Sequence, residues 1–365
     1  MKKTLSLITL LLVAVACQDH VNPPETPNTT ITAIMSATPT GNTTCNSSTG
    51  LANVVCLAEA FKATLDPTQL ARVQLEYSLA NAKRWSNLPE ALYPTKRVGI
   101  NLGSLNETQL VAFRAVMAAV LALGGHNEGY DELVGNLAAD DYLNTHGGGP
   151  TYGAGNFFVA FLGTPSTTGL WELQYGGHHY TFANTYNDGQ IKGVTPSFRG
   201  VEPMAPVPAG NRSYQPVEQE RQAFSALLTN LSGNEQTTAK LSSVFTDILL
   251  GPGKDWQFPA TKQGLRVGDL TAAKKDRVLE AIKLYVGDLD SETAATVLAK
   301  YTAELDDTYI AYSGSTTLSE EYDYIRVDGP SLWIEYTAQP GFVIKGVSHP
   351  HSVWRDRTGD YGGNK

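Results

Sequence analysis

Residues Ile191-Lys-Gly-Val-Thr-Pro196 recur as Ile344-Lys-Gly-Val-Ser-His349, 153 positions later, and the match runs far beyond those six residues. A chain that repeats itself at this length is expected to fold as two like units. Trp85-Ser-Asn-Leu-Pro89 followed by Val98-Gly-Ile-Asn-Leu-Gly-Ser-Leu105 is answered by Trp256-Gln-Phe-Pro259 followed by Gly264-Leu-Arg-Val-Gly-Asp-Leu270. Leu105 and Leu270 each open a helical pattern. Leu110, Phe113, Met117, Val120 and Leu121 in the first, and Val278, Ile282 and Tyr285 in the second, recur at three-and-four spacing, with Asn106 and Thr271 placed as N-caps. Second helices are expected near Tyr130–Leu143 and Ser291–Leu305, and preceding helices within Cys56–Tyr77 and Val217–Leu250.

The period then changes to that of strands. Phe157–Thr164 answers Thr308–Ser315, both rich in aromatic and β-branched residues, and Trp171–Thr185 answers Asp323–Thr337. The fold class predicted is α+β: two tandem pseudo-repeats, about 51–205 and 214–360, each of helices followed by a small antiparallel sheet. They pack as one globular unit about a pseudo-twofold axis, and the strand of the echo closes each.

The first residues bear on location. Lys2 and Lys3 precede an apolar run from Leu5 to Val15 that is too short to span a bilayer, and Ala14-Val-Ala-Cys17 reads as a lipobox. Residues 1–17 are therefore expected to be a lipoprotein signal peptide with lipidated Cys17; the alternative is an ordinary signal peptide cleaved nearby. Residues 18–44 are rich in Pro, Thr and Asn and read as a disordered tether, followed by the duplicated domain over 45–365. The membrane would be a partner through the lipid, which places the domain at the cell envelope. Cys45 and Cys56 remain as an even pair, for which a disulfide is the natural expectation, worth roughly 2 to 3 kcal/mol by loop entropy. Metal binding by the two thiolates is the alternative, and it lacks the further Cys ligands of a sulfur site.

Over the whole chain, an apolar fraction of 42% and a charged fraction of 17% are those of a globular protein with an ample core. The net charge of −9, with no Lys/Arg cluster, excludes nucleic acid as the expected partner and leaves a small molecule, metal, glycan or protein.

Four of the seven histidines fall in matched regions: His178 and His179 in the first unit, His349 and His351 in the second. Read as part of a strand, His178 and His179 would point to opposite faces, so that only one faces a site. His349-Pro-His351 places two imidazoles on one face of an extended chain, where both can bind one ion, and Pro350 would confine the segment to an edge or loop. Glu335, a charge within an apolar strand, is the first candidate for a completing carboxylate, and Glu202 the next. Arg355, with Asp356 and Asp360 nearby, is a candidate anion clamp or a salt bridge. His126 and His146 sit in polar loops beside Gly and read as solvated. No Gly-x-Ser-x-Gly elbow, Walker loop or His-Glu-x-x-His helix is present in the sequence.

Several of these pieces carry a resemblance: Arg84-Trp85 through Pro89, Arg97-Val-Gly99, Gly177-His-His179, Thr195-Pro-Ser-Phe-Arg-Gly-Val-Glu-Pro203, Gly329-Pro330 with Glu335, and His351-Ser-Val-Trp-Arg-Asp356 with Asp360-Tyr-Gly362. Together they resemble the uncharacterised bacterial family grouped as domain of unknown function 3500. The resemblance implies an exported or lipid-anchored protein and transfers no activity. From the residues, two functions are expected to compete. One is a divalent-metal protein of hydrolase-like chemistry, zinc or another ion held by His178 or His179 with His349 and His351, in which Glu335 and Arg355 serve the chemistry. The other is a non-catalytic ligand-binding or assembly protein of the envelope with a structural His/Arg cluster.

Overall fold

A computed structural model describes residues 29–39 and 45–365; Cys17, the leader and most of the tether lie outside them. Helices α1 (Thr29–Ser36), α2 (Gly50–Lys62), α3 (Pro67–Val73), α4 (Leu79–Ala82), α5 (Glu107–Val120) and α6 (Tyr130–Leu143) belong to the first half of the chain. Helices α7 (Glu218–Asn230), α8 (Gly233–Ala239), α9 (Ala272–Val286) and α10 (Ser291–Ala303) belong to the second. The first-half strands are β1 (Gln74–Leu75), β2 (Ile100–Asn101), β3 (Phe158–Leu162), β4 (Trp171–Gly176), β5 (Tyr180–Asn187), β6 (Gln190–Gly193) and β7 (Ser197–Gly200). A separate hairpin, β8 (Val207–Ala209) with β9 (Arg212–Tyr214), precedes β10 (Leu265–Arg266), β11 (Tyr309–Ser313), β12 (Tyr324–Asp328), β13 (Leu332–Gln339) and β14 (His349–Asp356).

The class is α+β, but the two small sheets expected from the sequence are one continuous sheet of twelve strands. Its order is β1-β3-β4-β5-β7-β14-β13-β12-β11-β10, with β2 added to β3 and β6 to β5. The join is the antiparallel pair β7 and β14, registered from His351 opposite Gly200 to Trp354 opposite Ser197. Only β1, parallel to β3, departs from antiparallel pairing within the sheet.

Alternation along the strands explains the two faces. Trp171, Leu173, Tyr175 and Phe182 bury against α2, α5 and α6, while Ile325, Val327, Ile334, Tyr336 and Trp354 bury against α7, α9 and Tyr301 of α10. Every apolar position expected to face inward on α5 and α9 is buried, and the Asn106 N-cap of α5 is completed by a reciprocal bond with Gln109. Thr271 occupies the N-cap position of α9 without a side-chain bond. The opposite face carries Phe198 and Val353 at its centre and is covered by Trp85, Val98 and Tyr361, which come from connecting segments and the C-terminus.

Several boundaries differ from expectation for local reasons. Within the expected tether, Thr29–Ser36 is helical and docked: Ile31 and Met35 are fully buried, Thr32 Oγ1 donates to Asp141 at 2.6 Å, and Tyr130 OH donates to the Met35 carbonyl at 2.7 Å. The helix expected over Cys56–Tyr77 is split where Asp66 caps a new helix at Pro67, and residues 240–250 carry no helix. The echo forms edge strand β6 in the first half and a turn in the second, where Glu202 Oε1 accepts from the Val343 and Ile344 amides at 2.6 and 2.8 Å. Cys45 and Cys56 form a disulfide. Among the described residues, no helix is long and apolar enough to cross a membrane.

Candidate metal centre

At one end of the central strands, β5 starts, β7 ends and β14 begins, so the fold brings His179, His349 and His351 together. One side-chain nitrogen from each lies within 4.8 Å of the other two. His351 Nε2 is 3.2 Å from His179 Nε2. His349 and His351 share a face of β14, as their spacing predicts, with ring centroids 4.9 Å apart. Contrary to the edge-strand expectation, β14 is central; Pro350 is tolerated because the β7 ladder stops opposite His351.

His178 and His179 depart from the strand reading. Neither lies in a strand: they form the turn between β4 and β5, closed by the Gly177 amide donating to the Tyr180 carbonyl at 2.8 Å. His179 adopts φ +64°, in the left-handed region, and this swings both rings to one side, where they stack 3.6 Å apart. Only His179 joins the cluster. His178 stands behind it, with Nδ1 2.6 Å from Asp140 Oδ1, and Asp140 Oδ2 accepts from the Gly153 amide at 2.7 Å. His178 therefore backs His179 and stands outside the three-histidine cluster.

The turn is itself held from outside the sheet. Arg97 Nη2 donates to the carbonyls of Gly177, Ser86 and Leu88 at 2.7, 2.6 and 2.7 Å, and the Gly200 amide donates to the His179 carbonyl at 2.7 Å. These bonds fix the backbone of the residue that must aim its ring.

Burial and crowding disfavour the charged forms of His179 and His349. Burial, followed by the neighbouring His178, His351 and His349, holds His179 well below its ordinary range. Burial, with His351 and His178, pushes His349 down to about 3. Neutral imidazoles retain the lone pairs that a metal uses. His351 Nδ1 lies 2.9 Å from Asp247 Oδ1, and because an ionised carboxylate only accepts, Nδ1 carries the proton of that bond. The Asp247 carboxyl sits below its ordinary range: desolvation pushes it up, and the bond and charge of His351 together with the Ile248 amide outweigh that. His349 Nδ1 is buried and has no partner among the described residues.

Glu335 and Arg355 do not enter the cluster. Glu335 is fully buried and accepts from the Leu249 and Leu250 amides at 2.6 and 2.8 Å, from Trp333 Nε1 at 2.7 Å and from Tyr324 OH at 2.8 Å. It anchors the segment that carries Asp247, and so acts on His351 at one remove. Arg355 is spent on Asp360 at 2.7 Å, Asp255 at 2.8 Å and the Leu250 carbonyl at 3.1 Å, which brace the same loop. Asp356 accepts from Lys300 and Tyr301. Glu202 borders a small pocket with His178, His179 and Asp140. His126 and His146 are exposed.

Asp247 also lines a cleft of about 620 Å³ between the 80–95 and 247–255 segments. Asn87, whose carbonyl accepts from the His179 amide at 3.4 Å, lines it too, as do Lys83 and Lys254. Neither Asp247 nor Asp140 was legible as a site residue in the sequence. Their partners lie 104 and 38 positions away, and no spacing rule links them.

No curated protein and no solved structure gives a significant match to the chain. A family model does, over residues 47–363, and the chain belongs to that family, described as Protein of unknown function (DUF3500).

Proposed function

We propose that this is an exported lipoprotein of the bacterial cell envelope, anchored through lipidated Cys17, that holds one divalent metal ion, zinc, on His179, His349 and His351. The single observation that carries the metal is the convergence of three buried imidazoles, two of them with Nε2 atoms 3.2 Å apart. Two nitrogens on one tetrahedral zinc, each about 2.05 Å from it, lie about 3.3 Å apart. The bond from His351 to Asp247 is the carboxylate–histidine support that orients a zinc ligand. A three-histidine zinc site leaves a fourth position, at which the ion supplies Lewis acidity and activates water for hydrolysis. The adjoining cleft, with Lys83 and Lys254 in its wall, suits a small substrate bearing an anionic oxygen.

Burial favours a second reading, a metal centre that assembles the envelope protein without turnover. His179, His349 and His351 are only 5%, 7% and 8% exposed, and the pocket at His178 and His179 holds no room for water.

The reading of two duplicated halves is supported by the order of the sheet, which runs outward from β7 and β14 through counterpart strands on either side. It is also supported by matched backbone constraints. Gly99 has φ +96° and its added Cβ would lie 2.1 Å from the Val159 carbonyl; Gly264 has φ +99° and 2.2 Å from that of Ile310. The Cys45–Cys56 disulfide fits an oxidising compartment.

Metal analysis of untagged protein should find about one zinc per chain, lost in His349→Ala with His351→Ala. Absence of metal, together with melting unmoved by added zinc, would sink the metal reading. Palmitate labelling abolished by Cys17→Ala tests the anchor.

A further inference from the structure

On the helix-facing side of β7, beside the histidine centre but separate from it, Glu128, Glu220 and Asp288 each offer an oxygen within 4.8 Å of the others. Glu132 joins them through Arg199, whose Nε donates to Glu132 Oε2 at 3.1 Å and whose Nη2 contacts Asp288 Oδ2. Four carboxylates thus face one guanidinium, so that full ionisation leaves three uncompensated negative charges in a buried place.

Hydrogen bonds between Asp288 and the Glu128 and Glu132 carboxyls resolve this only in part. Glu220 is fully buried, and neither of its carboxylate oxygens has a partner among the described residues. Glu132 Oε1 and Glu128 Oε1 are likewise buried and unpartnered among them. Protonation relieves the charge but leaves Glu220 with an O–H that has no acceptor. A cation accounts for the oxygens and the charge together.

We propose that Glu128, Glu220 and Asp288, with Glu132 at the margin, form a second cation site, built of oxygen donors alone and suited to a hard divalent ion such as calcium. Oxygen-only ligation selects a hard ion over zinc, which favours the imidazoles elsewhere in the molecule. The site ties the halves of the chain together. Glu128 and Glu132 belong to the segment entering α6 and to α6 itself, Glu220 belongs to α7, and Asp288 follows α9. The Gly129 amide donates to Asp288 Oδ1 at 2.5 Å, and the Ala122 amide to the Asp288 carbonyl at 2.8 Å. Arg199 sits between this site and Gly200, whose amide holds the His179 carbonyl, so a bound cation braces the strand that positions His179.

The test is terbium luminescence on the full chain after chelator treatment. The Tyr285 ring lies 5.0 Å from the Arg199 guanidinium and serves as a nearby sensitiser. Expected are a saturable terbium signal displaced by calcium but not by zinc, a melting temperature raised by calcium, and at least about a tenfold loss of calcium affinity in Glu220→Gln. If Glu220→Gln fails to fold, Glu128→Gln, which removes a partly exposed ligand, carries the same expectation. The signal must persist in His349→Ala with His351→Ala. Its loss there would assign terbium to the histidine centre and overturn the proposal, as would melting indifferent to calcium or a signal unchanged in Glu128→Gln.

Discussion

The turns Gly177–Tyr180 and Gly329–Leu332 close with the same bond, the first amide donating to the last carbonyl at 2.8 Å in each. Each has an arginine on its leading carbonyl, Arg97 on Gly177 at 2.7 Å and Arg357 on Gly329 at 2.8 Å. Between these fixed points the first turn holds His178-His179 and the second Pro330-Ser331. His179 takes φ +64° and delivers its ring to the β14 histidines, whereas Ser331 turns back on Glu304, to which its amide and hydroxyl donate at 3.0 and 2.5 Å. The backbone plan is common to both turns, and the difference resides in the two residues at each tip. The same turn frame thus gathers imidazoles at one end of the sheet and forms a structural brace at the other.

The largest expected effect separates the two ends directly. His349→Ala with His351→Ala should weaken zinc binding by at least about 1,000-fold, roughly 4 kcal/mol, measured by competition with a chromophoric chelator. Ser331→Ala should leave zinc affinity unchanged and cost only about 1 kcal/mol of stability through the lost hydroxyl bond to Glu304, the amide bond being kept. Equal zinc affinity in all three proteins would remove the distinction. The next effect concerns the room at each turn. A Cβ on Gly177 would lie 2.6 Å from the buried Phe157 ring, whereas one on Gly329 would lie 3.1 Å from Leu332 Cβ and Thr308 Oγ1. Gly177→Ala should cost about 2 to 3 kcal/mol by denaturant unfolding and Gly329→Ala no more than about 1 kcal/mol, and reversal of that order would contradict the packing account.

The contrast also shows what was legible in the sequence. The α5 and α9 faces, the strand groups and the shared face of His349 and His351 follow from periods of 3.6 and 2, which local sequence carries. The continuous sheet did not, because the pairing of β7 with β14 joins residues about 150 positions apart and nothing local encodes it. His178 and His179 were read as strand because the aromatic and β-branched pattern runs up to them on both sides. Glycines at 176 and 177 were the available sign of a turn. Glu335 drew attention as a charge in an apolar strand, and the charge is real, but four donors satisfy it. Asp247 carried no signal at all, although its position is what Glu335 and Arg355 serve.

A smaller effect tests that support. Asp247→Asn keeps the shape of the side chain and removes its charge, so zinc affinity should fall about 10- to 100-fold while unfolding free energy stays within about 0.5 kcal/mol. Unchanged affinity would leave His351 oriented by the strand alone.

The smallest effect is a slope with pH, in metal-free protein. His349 is held at about 3 in the folded chain by burial and its histidine neighbours, against an ordinary value of 6.5. Its folded value is depressed, so below 6.5 the unfolded chain takes up a proton that the folded one refuses. The associated stability is present in full above that value and drains away as pH falls toward 3. Between pH 6 and pH 5 the loss should be about 1 kcal/mol for this one side chain. Buried carboxylates such as Glu220, raised to about 7 by burial and Asp288, slope the opposite way, because their folded form keeps the proton as pH rises. The total profile therefore mixes both signs, and the informative quantity is the difference between wild type and His349→Asn over that pH interval. A difference of about 1 kcal/mol identifies an imidazole kept neutral by its surroundings. Parallel profiles would mean that His349 titrates freely, and the first turn would then present no more of a metal centre than the second.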